Sequence, residues 1–479
     1  MQRLNLKFTI TMKRITLSNL TYLLLLISMV SFGQNTDSQG RRVFGREIKS
    51  VNPTSGITRC ISSEYEENLQ ETIKDRATTE EFEAWLAPKV EEIKRQMQSG
   101  KSANTVITIP VVVHIIHNGD AVGSGENISD ARILSQITVL NQDFRRMLGT
   151  PGYNTNAVGA DVEIEFCMAQ RKPDGTATSG IDRVNLNVAS WATDASVESN
   201  LKPNTIWDST QYFNIWVCKF SDVEADDLYG TLGYAQFPSN SSLAGLNVNG
   251  GLATTDGVII DYRCFGSSDY VTGNYFPGYN KGRTATHEIG HSFGLRHIWG
   301  DSSSCVVNAT DSNNDYCPDT PAANTANFDC NVVYNSCPLA AGNDMTENYM
   351  DYSNDTCMNT FTLDQKARIV AVLQNSPRRS TLGSSLACQA VLGTSSYDAL
   401  EMVSIYPNPV NDVLNISIGE TADLPSAYSI YNNLGQVIAQ KSVSSNGDLS
   451  INTSGWSTGI YFIKIEKESA VKTLKFVKK

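Results

Sequence analysis

Three of the chain's five histidines fall within the segment HEIGHSFGLRH, from His287 to His297. His287 and His291 are four residues apart, which places both imidazoles on one face of an α-helix at the spacing that binds one Zn²⁺. Gly294 can adopt a positive φ, so the chain can leave the helix and bring His297 in as a third ligand. Three protein ligands leave one tetrahedral position for water, and Glu288 lies where a carboxylate can take that water's proton. The segment therefore predicts a catalytic zinc site suited to hydrolysis.

The other two histidines, His114 and His117, lie in the apolar run IPVVVHIIH. Such a β-branched run is typical of a buried strand. We therefore interpret both as strand residues and not as metal ligands.

The longer motif resembles that of the metzincin metalloproteases, in which a methionine turn lies beneath the zinc. The segment NYMDY, residues 348–352, resembles that turn, with Met350 as its apolar floor. Within the metzincins the chain is similar to the pappalysin or cytophagalysin family. The matching segments are IPVVVH (109–114), LGYA (232–235), DGVII (256–260), GRTATH (282–287) and CMN (357–359).

This resemblance implies a role for each matching site residue. It implies zinc ligands at His287, His291 and His297, with Glu288 as general base and acid. Tyr352 matches a tyrosine that assists the transition state by donating a hydrogen bond to the developing oxyanion. Asp355 matches an acidic residue at the floor of the specificity pocket, where a carboxylate pairs best with a guanidinium. The implied reaction is cleavage on the N-terminal side of Arg, and less efficiently Lys, although a lone Asp is also common in solvated loops.

The chain has ten cysteines, a number that indicates disulfides if the protein is exported. Five of them follow the third histidine, namely Cys305, Cys317, Cys330, Cys337 and Cys357. The resemblance implies the pairs Cys305–Cys337 and Cys330–Cys357 and leaves Cys317 undecided.

The same stretch is rich in oxygen ligands of the kind that Ca²⁺ prefers. The candidates are Asp311, Asn313, Asp315, Asp319 and Thr320. Calcium is also what the family resemblance implies here, but runs of Asn and Asp are commonly plain turns.

The N-terminal residues predict export. Lys7, Lys13 and Arg14 precede an apolar run that ends near Phe32, which is typical of a signal peptide over residues 1–33. No later segment has the ~18 uninterrupted apolar residues of a membrane-spanning helix. We therefore expect a secreted or cell-surface protein that passes through the periplasm and the outer membrane and has no transmembrane segment in its mature form.

Residues 34–104 are predicted to form a propeptide. Cys60 could deliver a thiolate to the zinc and keep the enzyme latent, as pappalysin-like proforms are thought to do, but Ile61 stands where many members have Gly. A structural disulfide or a free thiol is the alternative for Cys60. A helix is predicted around Phe82, Trp85, Leu86, Val90 and Ile93, and it could cover the cleft, with Lys94, Arg95 and Lys101 as basic sites near its end where the enzyme could release it.

The fold class expected for residues 105–390 is an α+β metzincin domain, with a twisted mixed sheet, helices and an irregular lower part. Strands are predicted at 106–117, 162–168, 212–218 and 258–262, and a helix at 130–147. The segment around LGYA is expected to form the edge strand along which an extended substrate binds.

A Gly/Ser/Thr-rich linker is predicted at 391–400, followed by short strands over 401–479. The segments IYPNP (405–409), NNLG (432–435) and GIYF (459–462) resemble the C-terminal sorting domain of the type IX secretion system. That resemblance implies a small all-β sandwich that is read by the secretion machinery. A generic β-sandwich adhesion module is the alternative.

The net charge of −12 provides no basic surface for nucleic acid. The sequence thus predicts a secreted zinc endopeptidase that acts on protein or peptide substrates and is made as a latent zymogen. A non-catalytic surface adhesin or binding module on a protease scaffold is the alternative, although such a module would not need Glu288.

Overall fold

The computed structural model describes residues 40–100, 106–240, 252–305, 315–391, 400, 403–418, 424–467 and 470–479. The predicted signal peptide lies outside these ranges, as does most of the predicted linker.

The first described region precedes the main sheet. It contains a short hairpin of β1 (Arg42–Val43) and β2 (Arg46–Glu47), then helices α1 (Ser62–Thr72) and α2 (Thr79–Gln98). A capping box begins α2, because the Thr78 side chain accepts from the Glu81 backbone N–H and the Glu81 side chain accepts from the Thr78 backbone N–H.

The main sheet has six strands. They are β3 (Ile107–His117), β4 (Ile164–Met168), β5 (Ile181–Asn185), β6 (Phe213–Cys218), β7 (Gly233–Ala235) and β8 (Val258–Asp261). Their order is β4-β3-β6-β8-β7, and β5 pairs with the C-terminal half of β3. All pairs are parallel except β7 with β8, so β7 is an antiparallel strand at the edge of the sheet. The central strands are buried on both faces, which explains their continuous apolar sequences.

Three longer helices follow in the same region: α3 (Asp130–Phe144), α4 (Arg283–Ser292) and α5 (Leu363–Asn375). Short helical pieces cover 194–196, 197–201 and 202–205. Helix α3 packs against β4 and α4, and α4 packs against β7 and β8. The sheet and these helices therefore hold α4 directly beneath the edge strand.

The predicted elements are confirmed, with ends that shift by up to three residues. The largest shift is at the end of α3, which stops at Phe144 and not at residue 147. His114 and His117 lie in β3, as predicted. His114 is buried between the Asp182 carboxylate (2.8 Å from Nδ1) and the Asn214 side-chain oxygen (3.0 Å from Nε2), so its hydrogen bonds join three neighbouring strands.

The segment between α4 and α5 contains little regular structure and is held by disulfides. The structure contains the bonds Cys305–Cys337 and Cys330–Cys357, and a further bond joins Cys167 to Cys388. Cys317, which the sequence left undecided, is buried.

The C-terminal region is all β, as predicted. Its strands are β9 (Ser404–Tyr406), β10 (Val413–Ser417), β11 (Ala427–Asn432), β12 (Val437–Ser442), β13 (Ser450–Asn452), β14 (Gly459–Lys467) and β15 (Ala470–Lys478). They form a three-stranded sheet, β13-β10-β9, and a four-stranded sheet, β12-β11-β14-β15, around one apolar core. In the part of the chain that the structure describes, no helix is long and apolar enough to cross a membrane.

Candidate active site

Helix α4 carries the first two motif histidines, and all of its residues are buried. Gly290 lies where an added Cβ would meet the Met350 sulfur at 2.5 Å, so glycine is needed for the methionine turn to approach the helix. Gly294 has a φ of +89°, as its sequence position predicted, and the chain turns there towards His297.

The three histidines of the motif converge on one point. Nε2 of His291 lies 3.1 Å from Nε2 of His287 and 3.1 Å from Nε2 of His297. Nitrogens bound to one tetrahedral Zn²⁺ at 2.0–2.1 Å would be separated by about 3.3 Å. The spacing of the three nitrogens therefore fits a single zinc ion.

The opposite nitrogen of each ring fixes the tautomer. Nδ1 of His287 donates to the Tyr349 carbonyl (2.7 Å), and Nδ1 of His291 donates to the Leu295 carbonyl (2.9 Å). Nδ1 of His297 lies 2.7 Å from the Asp301 carboxylate. Because carbonyls only accept, Nε2 of His287 and His291 carries a lone pair in the neutral ring, as a metal ligand requires. Burial lowers the pKa of both histidines well below the ordinary value, which favours that neutral form.

Tyr352 lies beside these rings. Its ring packs edge-on against His297, with centroids 4.9 Å apart, and against His287, with centroids 5.7 Å apart. Its hydroxyl donates to the Cys60 carbonyl at 2.9 Å. The phenol therefore reaches the place where a peptide carbonyl lies in the cleft.

Glu288 is fully buried, and burial raises the pKa of its carboxyl to about 8. Its Oε2 accepts hydrogen bonds from the Ser62 hydroxyl (2.8 Å) and the Cys60 thiol (3.3 Å). Its Oε1 has no hydrogen-bond partner among the described residues. The carboxyl is thus enclosed by residues of the N-terminal region.

The Cys60 sulfur belongs to the same cluster as the histidines. The sulfur and one nitrogen each of His287, His291 and His297 all lie within 4.8 Å of one another, and all four residues are buried. Within the described ranges, this is the only group of three or more His, Cys, Asp or Glu side chains close enough to hold a metal ion. Cys60 is therefore positioned as a fourth ligand.

Asp355 forms a buried ion pair with the residue before Cys60. Its Oδ1 accepts from Nη2 of Arg59 at 2.8 Å, and both side chains are at most 1% exposed. Its Oδ2 accepts from the backbone N–H of Lys281 (2.8 Å) and of Arg283 (3.2 Å). The Arg59 guanidinium also donates to the Ser353 carbonyl at 2.8 Å. The pocket at Asp355 thus binds a guanidinium through its carboxylate and one backbone carbonyl.

The backbone around Arg59 is held by the segment that leads into β7. The Thr58 N–H donates to the Gly230 carbonyl (2.9 Å), and the Leu232 N–H donates to the Thr58 carbonyl (3.0 Å), in a parallel bridge. The Ser62 hydroxyl accepts from the Ala235 N–H at 2.8 Å. We call residues 57–62 the plug, because they fill the cleft between α4 and the edge of the sheet.

The sequence-based prediction that the helix of Phe82 to Ile93 covers the cleft is wrong. That helix is α2, and its apolar face packs against Ala367, Ala371 and Val372 of α5. The sequence showed that α2 is amphipathic but not which surface would receive its apolar face. Lys94 and Arg95, proposed as release sites, lie inside α2, and Lys101 lies outside the described residues.

The predicted calcium ligands are only partly described. Asp311 and Asn313 lie outside the described residues. Asp315 accepts from the Thr320 hydroxyl at 2.7 Å, whereas the backbone N–H of Asp364 donates to Asp319 at 2.9 Å. Burial, followed by the nearby Asp364 charge, raises the pKa of Asp319 to about 6. Calcium at this site remains a prediction.

Sequence reasoning did not anticipate the contacts of Arg59 and Ser62. Arg59 carried a usable signal, because it adjoins the candidate switch Cys60 in a chain with a predicted preference for arginine. Ser62 carried none, since a serine at the start of a helix is an ordinary cap.

Comparison with known families agrees with this geometry. Residues 194–374 match the family model described as pregnancy-associated plasma protein-A, and residues 404–479 match the secretion system C-terminal sorting domain. An extracellular metalloprotease of Colletotrichum graminicola is 31% identical over 55% of this chain and 75% of its own length. Another, from Verticillium alfalfae, is 31% identical over 57% of this chain and 79% of its own.

The chain belongs to the pregnancy-associated plasma protein-A family of metallopeptidases. A promirolysin mutant from Tannerella forsythia is 32% identical and covers 70% of this chain and 99% of its own, with a TM-score of 0.52. The protein is accordingly a metalloendopeptidase that is exported through the type IX system to the cell surface or beyond. These findings remove the support for a non-catalytic adhesin.

Proposed function

We propose that this metallopeptidase is a zinc-dependent endopeptidase that cuts on the N-terminal side of Arg, and less efficiently Lys, and that its plug keeps it latent. The observation that carries the proposal is Arg59 bound to Asp355 beside Cys60, whose sulfur faces the three histidines. One segment of this chain thus occupies both the candidate specificity pocket and the candidate metal site.

The donor set supports zinc. Three imidazoles, oriented by their Nδ1 hydrogen bonds, leave one position open for a fourth ligand. Bound zinc would supply Lewis acidity, which polarises a peptide carbonyl and makes a water molecule more acidic. Glu288 would accept the proton of that water and pass it to the leaving amine. Tyr352 would donate a hydrogen bond to the carbonyl oxygen as negative charge develops on it.

The Asp355 pocket supports a preference for arginine. A planar guanidinium can donate to a carboxylate and a carbonyl at once, which Arg59 does with Asp355 and Ser353. The Tyr279 ring lies 5.4 Å from the Arg59 guanidinium carbon, which adds a cation–π contact. The ammonium group of lysine is a single point and cannot reproduce the planar donor array, so lysine should bind more weakly.

Three contacts of the plug support latency. The Cys60 sulfur faces the position that a water or substrate ligand would need. Ser62 and Cys60 donate to the Glu288 oxygen that would accept the water's proton. The plug backbone also pairs with the edge of the sheet, where an extended substrate would bind.

We further propose that residues 34–104 are removed as a propeptide, that residues 105–390 form the catalytic domain, and that the disulfide-bonded loop binds calcium. The half-buried Asp319 supports a cation there, because partial burial, followed by the charge of the neighbouring Asp364, raises the pKa of its carboxyl to about 6. A bound Ca²⁺ would favour the charged form of both carboxylates.

The test uses the secreted enzyme after removal of residues 34–104. Peptides that differ only in the residue after the scissile bond would carry arginine, lysine, citrulline or alanine. Citrulline keeps the shape of arginine but removes its charge, so it separates recognition of charge from recognition of shape. Zinc content would be measured in parallel, with a chelated sample and Glu288→Ala as inactive controls.

We expect cleavage in the order arginine, lysine, then citrulline and alanine, with no cleavage in either control. Restoring zinc to the chelated sample should restore activity. Equal rates for arginine and citrulline would contradict the role of Asp355, and full activity in the chelated sample would contradict the requirement for zinc.

A further inference from the structure

One side chain of the N-terminal region, Tyr65 of α1, fills a pocket on the face of the main sheet that lies opposite α4. Gly233 of β7 faces α4, because an added Cβ there would meet the Glu288 side chain at 3.3 Å. Successive side chains of a strand point to opposite faces, so Tyr234 points away from α4. Its ring packs edge-on against the Tyr65 ring, with centroids 5.4 Å apart. The pocket therefore lies across the edge strand from Glu288.

Hydrogen-bonding groups lie at the inner end of this pocket. The Tyr65 hydroxyl donates to the Glu198 carboxylate at 2.5 Å and lies 3.3 Å from the side-chain oxygens of Gln236 and Thr255. The Tyr234 hydroxyl donates to the other oxygen of Glu198 at 2.7 Å. An aromatic wall with a carboxylate at its end suits a phenol, which has an apolar ring and one donor.

The carboxylate of Glu198 is fixed by a buried lysine. The Lys202 ammonium lies 2.5 Å from Glu198 and 4.3 Å from the centroid of the Tyr234 ring, and its side chain is fully buried. Glu198 belongs to the π-helical turn Val197–Leu201, a rare geometry that is frequent at functional sites. All of these groups belong to the proposed catalytic domain, so they remain when residues 34–104 are removed.

The plug indicates which part of a substrate would reach the pocket. Arg59 occupies the candidate specificity pocket and the Cys60 sulfur faces the histidines, so Ile61 corresponds to the residue before the scissile bond. Ile61 and Tyr65 belong to one apolar cluster on the face of the sheet opposite α4. The four helical residues between them span about 6 Å, which is close to two residues of an extended strand. Tyr65 therefore corresponds to the third residue before the scissile bond.

The alternation of an extended chain agrees with this assignment. A substrate paired along β7 would direct the first and third residues before the scissile bond to the same face, and the second residue to the other. The third residue would therefore point towards Tyr234, as Tyr65 does in the proenzyme.

We propose that this pocket is a second specificity site of the mature enzyme, which binds an aromatic side chain, tyrosine best, from the third residue before the scissile bond. Tyr65 occupies it in the proenzyme, as Arg59 occupies the pocket at Asp355. Tyrosine is favoured over phenylalanine because its hydroxyl donates to the Glu198 carboxylate. The role in cleavage rests on the proposed peptidase function, whereas the binding of a phenol does not.

The experiment uses the secreted enzyme after removal of residues 34–104. Peptides with arginine after the scissile bond would carry tyrosine, phenylalanine or alanine as the third residue before it. A second series would vary the second residue before the bond in the same way. The kcat/KM of each peptide is measured, and the affinity of each for the Glu288→Ala form of the same protein is measured by fluorescence anisotropy.

At the third residue we expect tyrosine to exceed alanine about tenfold or more in both kcat/KM and affinity, with phenylalanine between them. At the second residue the three peptides should agree within about twofold, because that side chain faces away from the pocket.

Glu198→Gln should bring the ratio of tyrosine to phenylalanine close to one, because an amide accepts a weaker hydrogen bond than a carboxylate does. Glu224→Gln is the matched control, at an exposed position outside the pocket, and should keep the ratio. If Glu198→Gln prevents folding because Lys202 loses its partner, Thr255→Val provides a second variant. It removes one hydroxyl near the phenol without changing the charge, and it should lower the same ratio.

Equal affinities for the three peptides of the first series would overturn the proposal, as would a preference for tyrosine that Glu198→Gln or Thr255→Val leaves unchanged. Failure of the peptidase proposal gives a different result. In that case no peptide is cut, whereas tighter binding of the tyrosine peptide to the Glu288→Ala protein is still measured and supports the pocket.

Discussion

Arg59 and Glu83 of the N-terminal region each make buried ionic contacts with the rest of the protein, and the polarities of these contacts are opposite. In the plug, Arg59 brings a cation to the fixed carboxylate of Asp355. In α2, Glu83 brings a carboxylate to two fixed arginines, Arg296 and Arg368. Asp355 keeps two backbone hydrogen bonds without Arg59, from Lys281 and Arg283, so the pocket remains organised when the plug leaves. Arg296 and Arg368 lose their shared carboxylate when Glu83 leaves. The plug contact at Asp355 therefore tolerates exchange of its partner better than the α2 contact at Arg296 and Arg368 does.

The largest effect is expected at the exchangeable pair. Asp355→Asn in the mature enzyme should lower kcat/KM for arginine peptides by roughly thirtyfold to several thousandfold, because the guanidinium loses a buried charged partner worth about 2–5 kcal/mol. Peptides with alanine after the scissile bond serve as the internal control and should be cut at an unchanged rate. An equal loss for both peptides would mean that Asp355 maintains the fold of the site and does not select the substrate.

The next prediction concerns Arg59, the plug residue that occupies the Asp355 pocket in the proenzyme. Arg59→Ala should raise cleavage by the uncut proenzyme about tenfold or more, because the plug loses its anchor in the pocket. The measurement is the initial rate while gel electrophoresis shows an intact chain, with Arg42→Ala, on the exposed part of the hairpin, as control. If the uncut Arg59→Ala proenzyme cleaves no peptide whereas the uncut Cys60→Ser proenzyme does, latency depends on the sulfur and not on the pocket.

An effect on stability, not on catalysis, is expected at Glu83 of α2 in the uncut proenzyme. Glu83→Gln should lower the free energy of unfolding by about 3 kcal/mol, since it removes the carboxylate from a buried cluster. Urea unfolding of the Glu288→Ala proenzyme measures this loss, and Glu92→Gln, at an exposed position of the same helix, should stay within about 0.5 kcal/mol of the parent. A stability equal to that of the control would show that the apolar face alone holds α2.

A third buried carboxylate sharpens the comparison because its hydrogen bonds come from amides. Asp351 accepts from the Asn327 backbone and side chain and from the Tyr352 N–H, and burial, with the charge of Asp344, raises its pKa to about 7. The unfolded chain releases this proton near pH 4, so stability should fall as the pH rises from about 4 to 7 and then level off. Asp351→Asn should reduce the fall in the free energy of unfolding between pH 5 and pH 8 by a few kcal/mol at most. Urea unfolding at the two pH values measures this difference. Asp174→Asn, at an exposed loop position, should leave it unchanged.

Much of the site was predictable because its ligands are close in sequence. The spacing of His287, His291 and His297, with Gly294 before the last, depends on the pitch of one helix and one turn. Local geometry of this kind depends little on the rest of the fold. The strands were predictable for a similar reason, since β-branched runs in a buried sheet have few alternatives.

The contacts across the cleft could not be predicted in this way. Arg59 and Asp355 are separated by 296 residues, and no local pattern indicates that they meet. The amphipathic pattern of α2 indicated a buried face but not the surface that buries it, and the cleft was the wrong choice. Glu83 could be recognised only after α5 and the turn after Gly294 were in place, because its partners come from both.

The sequence by itself determined the chemistry available to this protein: three imidazoles and a carboxylate on one helix and its following turn, a methionine turn, and an exported β-rich tail. Only the tertiary structure decided that the plug fills the cleft while α2 lies on α5 and braces the turn of His297. The physical reason is that ligand spacing follows from local helix geometry. The choice between two apolar surfaces depends instead on shape and on buried charges that meet only in the folded chain.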